Sequence, residues 1–176
     1  MKRTSFILLA TFSLLTGCTK VESTRTSGID TIDNTTYEST TYYVYGFSFS
    51  KASLVSTIGK PEPDITLYVN FDNLPHRLTL QANNLKPSFF KYGEFADEAA
   101  AKLAFGNLKT FSASSWQDMA DPISDNQVWI YRSGSESYAK IRVISTVNEM
   151  RNNLPYGECK FEWVYQPDGS STFPGK

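Results

Sequence analysis

Hydrophobic and polar positions divide the chain into three stretches of different pattern. Phe6 to Leu15 is a mostly apolar run preceded by Lys2 and Arg3. From Thr19 to Thr41, Ser, Thr, Asp and Asn dominate and large apolar residues are sparse. From Tyr42 onward, apolar residues repeatedly alternate with polar ones, the period-two pattern of half-buried strands. Tyr42 to Ser50 reads as the first strand, with Tyr43, Tyr45, Phe47 and Phe49 on one face. Gly46 within it marks a bulge or a close approach of another backbone. Ile65 to Phe71 and Arg77 to Gln81 form a hairpin across the turn residues Asp72-Asn73-Leu74-Pro75. Gln127 to Arg132, Tyr138 to Val147 and Glu158 to Gln166 supply three further strands, the first two joined by Ser133-Gly134-Ser135-Glu136.

Within these last strands, Ala139, Ile141 and Val143 face one way while Lys140 and Arg142 face the other. Cys159, Phe161, Trp163 and Tyr165 likewise oppose Lys160 and Glu162. The pattern predicts an antiparallel sheet with one solvated face. After the turn Gln166 to Ser170, Ser171-Thr172-Phe173 is expected to return as a short edge strand.

One segment breaks the alternation. Asp97 to Gly106 holds the strongest helix formers in the chain, with Asp97 placed to cap and a glycine at the end. Its expected apolar side is Phe95, Ala99, Leu103 and Ala100, and such a narrow stripe suits a helix lying over an end or edge of the sheet. Asn107 to Asp125 reads as an ordered loop. The expected fold class is mainly β (α+β): an antiparallel sheet or small sandwich with one short helix in the middle of the chain.

Composition adds three points. Aromatic residues make up 14% of the chain, with Tyr 10 and Phe 12, which favours strands. A net charge of -1 gives no basic field to attract nucleic acid, so nucleic acid is excluded as a partner. The length suits one core rather than two. The expected organisation is a signal peptide over 1–17, a flexible tether over 18–41 and a single β-rich domain over 42–176.

The start of the chain carries the most specific chemistry. A basic head, an apolar run of about ten residues and a small-residue end are the parts of a secretory signal, and the run is too short to span a bilayer that needs roughly twenty. Leu15-Thr16-Gly17-Cys18 resembles a bacterial lipobox, in which the chain is cut before the cysteine and its thiol is acylated. The resemblance implies a lipidated Cys18 and an anchor of two or three chains, since one chain binds only marginally. Thr19 in the second mature position implies the outer membrane, facing the periplasm or the cell surface. The tether sequence Asp30-Thr31-Ile32 looks like a short O-glycosylation sequon, a three-residue pattern that also arises by chance.

With Cys18 acylated, Cys159 has no partner for a disulfide, and its apolar-facing place in a strand reads as a small core residue. His76 is the one histidine, so neither a nucleophile–base pair nor a zinc set is expected: catalytic residues none, metal none. Asp97-Glu98 reads as helix capping and Glu62 with Asp64 as a loop. The aromatic residues remain. Trp116, Trp129 and Trp163, with Tyr42, Tyr43, Tyr131, Tyr156 and Tyr165, are candidates to line a groove for a flat apolar ligand, a sugar or a protein. Trp129, Tyr131 and Trp116 lead them. Val128 and Ile130 hold the opposite side of the Trp129 strand, and both sides cannot be buried without a cover.

The order of lipobox, polar tether, Tyr45-Gly46-Phe47-Ser48-Phe49, Gln127-Val128-Trp129-Ile130-Tyr131, Ser137 to Ile144 and Phe161 to Ser170 resembles the HmuY-like β-rich lipoproteins, mainly in the C-terminal half. The resemblance implies a β-rich domain at the outer membrane and, for some members, haem held between two axial side chains, typically histidines. This sequence departs there, offering His76 alone, with Met119 or Met150 as the remaining candidates. The sequence-level expectation is thus a non-enzymatic envelope lipoprotein binding a small ligand or a protein, without a cofactor. The alternatives are a haem or porphyrin carrier and, last, a secreted enzyme of unknown chemistry.

Overall fold

A computed structural model describes residues 25–37, 43–71, 75–84 and 86–174 of the chain. Cys18 and the signal segment, and the turn residues Asp72 to Leu74, lie outside the described residues. Along the chain run β1 (Ser27–Asp33), β2 (Tyr45–Ser48), β3 (Ser53–Ser56), β4 (Ile65–Asn70), β5 (Arg77–Ala82), β6 (Phe89–Glu94), α1 (Glu98–Asn107), β7 (Met119–Ala120), β8 (Gln127–Arg132), β9 (Tyr138–Arg151) and β10 (Leu154–Gln166). They form two five-stranded antiparallel sheets, ordered β1-β10-β9-β8-β6 and β3-β2-β4-β5-β7. The mainly β expectation with one short helix is met.

Alternation decides which side chains meet between the sheets. Phe47 and Phe49 join Ile65, Leu67, Val69, Leu78 and Leu80 from one sheet. Against them pack Ile32, Trp129, Tyr131, Ile141, Val143, Cys159, Phe161 and Trp163 from the other. The rings are paired: Phe47 meets Phe161 edge to face with centroids 5.3 Å apart, and Phe49 lies 5.3 Å from Tyr131. Such contacts add to the burial of large apolar surface. Tyr45, expected on the same face, is exposed. Gly46 marks a close approach, since a Cβ there would lie 2.6 Å from the Ile65 carbonyl oxygen.

A second core covers the outside of the first sheet. Phe105 and Leu108 from α1 and its end pack on Val128, Ile130, Val164 and Phe173, with Phe90, Phe111, Trp116 and Tyr138 around them. The face expected to be solvated is therefore buried. Lys140 and Arg142 sit under the helix at 2% and 3% exposure. Lys140 Nζ donates to the carbonyl oxygens of Phe105 (2.7 Å) and Leu108 (2.9 Å), and Arg142 pairs with Glu162 at 2.9 Å. Buried charges persist only when matched in this way.

The helix forms where the sequence places it, with Asp97 accepting from the Ala100 N–H at 2.8 Å. Its buried stripe is different: Ala101 and Phe105 face inward, Ala99 is exposed and Leu103 is 66% exposed. Phe105 offers the larger apolar body and docks on Val128 and Ile130, which sets the rotation of the helix.

The expected tether also needs correction. Ser27 to Asp33 is an edge strand paired along its length with β10, from Ser27 opposite Val164 to Asp33 opposite Glu158. Arg25 is already tied down through its bond to the Ala52 carbonyl at 2.8 Å. The sequence hid this strand because Ile32 alone of its large residues is buried. Backbone pairing, with the Asp30 carboxylate accepting from Trp163 Nε1 at 2.8 Å, holds it. Within it Thr31 is exposed. Ser171 to Phe173 makes a single bridge, Thr172 to Thr110, rather than a strand.

Candidate functional site

β9 and β10 continue past their neighbours. β8 pairs with β9 from Tyr138 to Arg142 and β1 leaves β10 at Glu158, so the hairpin beyond them projects from the end of the sandwich. Its tip is the two-residue turn Asn152-Asn153, with φ of 50° and 63°. Asparagine tolerates these angles, and the double left-handed turn matches the twist of the paired strands.

Below the hairpin opens a cleft of about 710 Å³, within the range of small-molecule sites. Tyr68, Val69 and Phe71 come from the end of β4, Asn34 to Thr36 from the segment after β1, and Tyr43 from the approach to β2. Arg151, Leu154, Pro155 and Tyr156 come from the hairpin. Asn34 fixes the geometry: its Nδ2 donates to the Pro155 carbonyl at 3.0 Å and its Oδ1 accepts from the Gly157 N–H at 2.8 Å. At Gly157 the hairpin backbone lies so close to the second sheet that a Cβ would come within 2.5 Å of Leu78 and 2.6 Å of Val69.

Rings at the cleft differ from those in the cores. Among the described residues, Tyr43, Tyr68, Phe71 and Tyr156 pair with no other ring, whereas most core aromatics, Trp129 and Phe105 excepted, pair with one another. Arg151 stacks over Tyr156 at 3.4 Å from the ring centre and gives its Nε–H to Glu149 at 2.6 Å. Among the described residues it is the one charged residue of the lining, and Glu149 offsets it. Burial, and then the neighbouring Tyr68, push the Tyr43 phenol up to about 12. Burial and Glu158 also raise Tyr156. Both stay neutral hydroxyls at physiological pH.

The leading sequence candidates lie elsewhere. Trp129 and Tyr131 are 1% and 2% exposed, so they are inter-sheet core and not a surface. The cover that their strand requires exists on both sides, the second sheet within and α1 without. Trp116 belongs to the outer core, against Tyr138 and Phe111, with Arg132 over its ring at 4.4 Å. Cys159 is fully buried and burial raises its thiol, as expected of an inert core residue. Of the wider aromatic set, Tyr43 and Tyr156 do reach the cleft. Tyr68, Phe71, Arg151 and Leu154 went unrecognised; the Asn152-Asn153 turn was the available signal that a hairpin projects there.

A haem of the kind implied by the HmuY-like resemblance needs two axial side chains. Among the described residues the lining holds no histidine, methionine or cysteine. His76 precedes β5, where its carbonyl accepts from Asn148, while Met119 pairs with Gln81 near the other end of that strand. Met150 is exposed on β9 opposite Pro155 and, like His76 and Met119, is not among the described lining residues, so these donors do not fit the group. No protein-family model matches the chain, and no curated protein matches it.

Proposed function

We propose that this chain is a lipid-anchored protein of the outer membrane, held through Cys18, whose non-enzymatic domain takes a small ligand in the cleft under the β9–β10 hairpin. One observation supports the cleft as the binding end: β1, the first described strand, runs to it, and Asn34 just after β1 enters the lining. Arg25 is already bound to the domain. β1 then runs seven residues, roughly 23 Å at strand rise, before Asn34 enters the lining. In this proposal the anchor precedes β1 and the cleft lies at the other end of that strand.

The test has two arms. Mass spectrometry of the N-terminal peptide is expected to find acyl chains on Cys18, and Cys18→Ser is expected to stay an uncleaved precursor. Melting of the purified protein is expected to rise with at least one of three probe classes, namely neutral oligosaccharides, haemin and fatty acids. That rise should vanish in Phe71→Ala, whose exposed ring makes folding insensitive to the change. Processing of Cys18→Ser to a soluble protein removes the anchor, and probe effects unaltered by Phe71→Ala remove the cleft.

A further inference from the structure

We infer that the ligand of the cleft is a neutral carbohydrate, a proposal that rests on the cleft being the binding site. Four rings reach the lining without a ring partner among the described residues: Tyr43, Tyr68, Phe71 and Tyr156. A pyranose presents flat C–H faces that pack on such rings, and a girdle of hydroxyls that must find hydrogen-bond partners when desolvated. The lining supplies those partners as hydroxyls: Thr35 and Thr36 beside the phenols of Tyr43 and Tyr68. None of these four hydroxyls bonds to another described residue. The amide of Asn34, by contrast, is committed to the hairpin backbone.

Charge separates this class from its competitors. An anion, whether phosphate, uronate or the propionates of a porphyrin, calls for surplus positive charge or forked guanidinium donors. The single guanidinium among the described lining residues is stacked on Tyr156 and bonded to Glu149, which leaves that described lining without surplus positive charge. A fatty acyl chain calls for aliphatic walls, and Val69 and Leu154 are the branched aliphatic residues present. An uncharged polyhydroxylated ligand with apolar faces fits both the rings and the near-neutral charge of the described lining residues.

Isothermal titration of the purified full chain with neutral gluco- and manno-oligosaccharides tests the inference, with haemin and a long-chain fatty acid as parallel probes. Binding of a neutral oligosaccharide is expected, weakened about tenfold or more by Phe71→Ala and less by Tyr68→Phe, which keeps the ring and removes one hydroxyl. It is expected to be insensitive to 0.5 M salt, on the order of the ionic strength that screens charge pairs. Binding of haemin or fatty acid alone, abolished by Phe71→Ala, overturns the carbohydrate inference and leaves the cleft as the site. Oligosaccharide binding that survives both substitutions overturns the assignment to this cleft. Failure of every probe overturns the inference and the cleft together.

Discussion

Asn34 grips the β10 backbone on both sides of its amide, accepting from the Gly157 N–H at 2.8 Å and donating to the Pro155 carbonyl at 3.0 Å. One side chain therefore joins the end of β1 to the projecting hairpin and sets the width of the cleft. Asn34→Ala removes both bonds and leaves two backbone groups without partners. A loss of about 1–2 kcal/mol is expected, read from urea unfolding. Faster amide exchange at Gly157 is expected with it, and unchanged exchange at the core strand β8.

Gly157 tests the same contact from the other side. A methyl group there would meet Leu78 and Val69 at about van der Waals overlap, 2.5 Å and 2.6 Å from the new carbon. Both neighbours are buried and Val69 is stiff at its branch. Gly157→Ala is expected to cost about 1–3 kcal/mol, and to lift the hairpin enough to weaken ligand binding. Equal stability and affinity in the variant would show that the hairpin does not rest on the second sheet.

Lys140 controls the other face. Its ammonium caps the last carbonyls of α1, where a cation also meets the negative end of the helix, and it lies 4.6 Å from the centre of the Phe105 ring. Lys140→Met keeps the length of the side chain and removes the donors. Stability is expected to fall by about 2 kcal/mol, with weaker amide protection in α1 and no effect on the cleft.

Asp64 gives a pH dependence of defined sign. Its carboxyl accepts from the Phe49 N–H at 2.8 Å, yet burial outweighs its hydrogen bonds and raises it above the ordinary aspartate value. The folded state therefore binds this proton more tightly than the unfolded chain does. Its contribution is greatest below the unfolded value and is lost as pH rises through the raised folded one. The stability of the wild type relative to Asp64→Asn is expected to decline over that interval and then level. Thermal melts of both proteins from pH 3 to pH 8, roughly the range a raised aspartate spans, check it, and a difference that grows with pH would reverse the sign.

Sequence and structure agree where one side of a strand carries the burial. In β4 the alternating residues Ile65, Leu67 and Val69 announce strand and core together. Elsewhere the pattern names a side without naming what covers it. Lys140 and Arg142 alternate correctly with Ile141, and read as solvated because charge ordinarily marks water; α1 and its partners Phe105 and Glu162 lie far away in sequence. β1 escaped notice because pairing, not apolar surface, holds it. In β6, the bulge between Lys91 and Gly93 breaks the register and blurs any period. Apart from the Asn152-Asn153 turn, which announces a hairpin, the cleft had no local signature, since Tyr43, Tyr68, Phe71 and Tyr156 come together only through the fold. Trp129 and Tyr131 drew attention as large aromatic residues, and largeness is what the inter-sheet core required.

The most direct test of the cleft is fluorine NMR of the protein carrying 3-fluorotyrosine, with resonances assigned by single Tyr→Phe changes. A ligand that raises the melting temperature is expected to move the signals of Tyr43, Tyr68 and Tyr156 together, and to leave buried Tyr131 in place. Saturation by such a ligand with all three cleft signals unmoved would contradict the account.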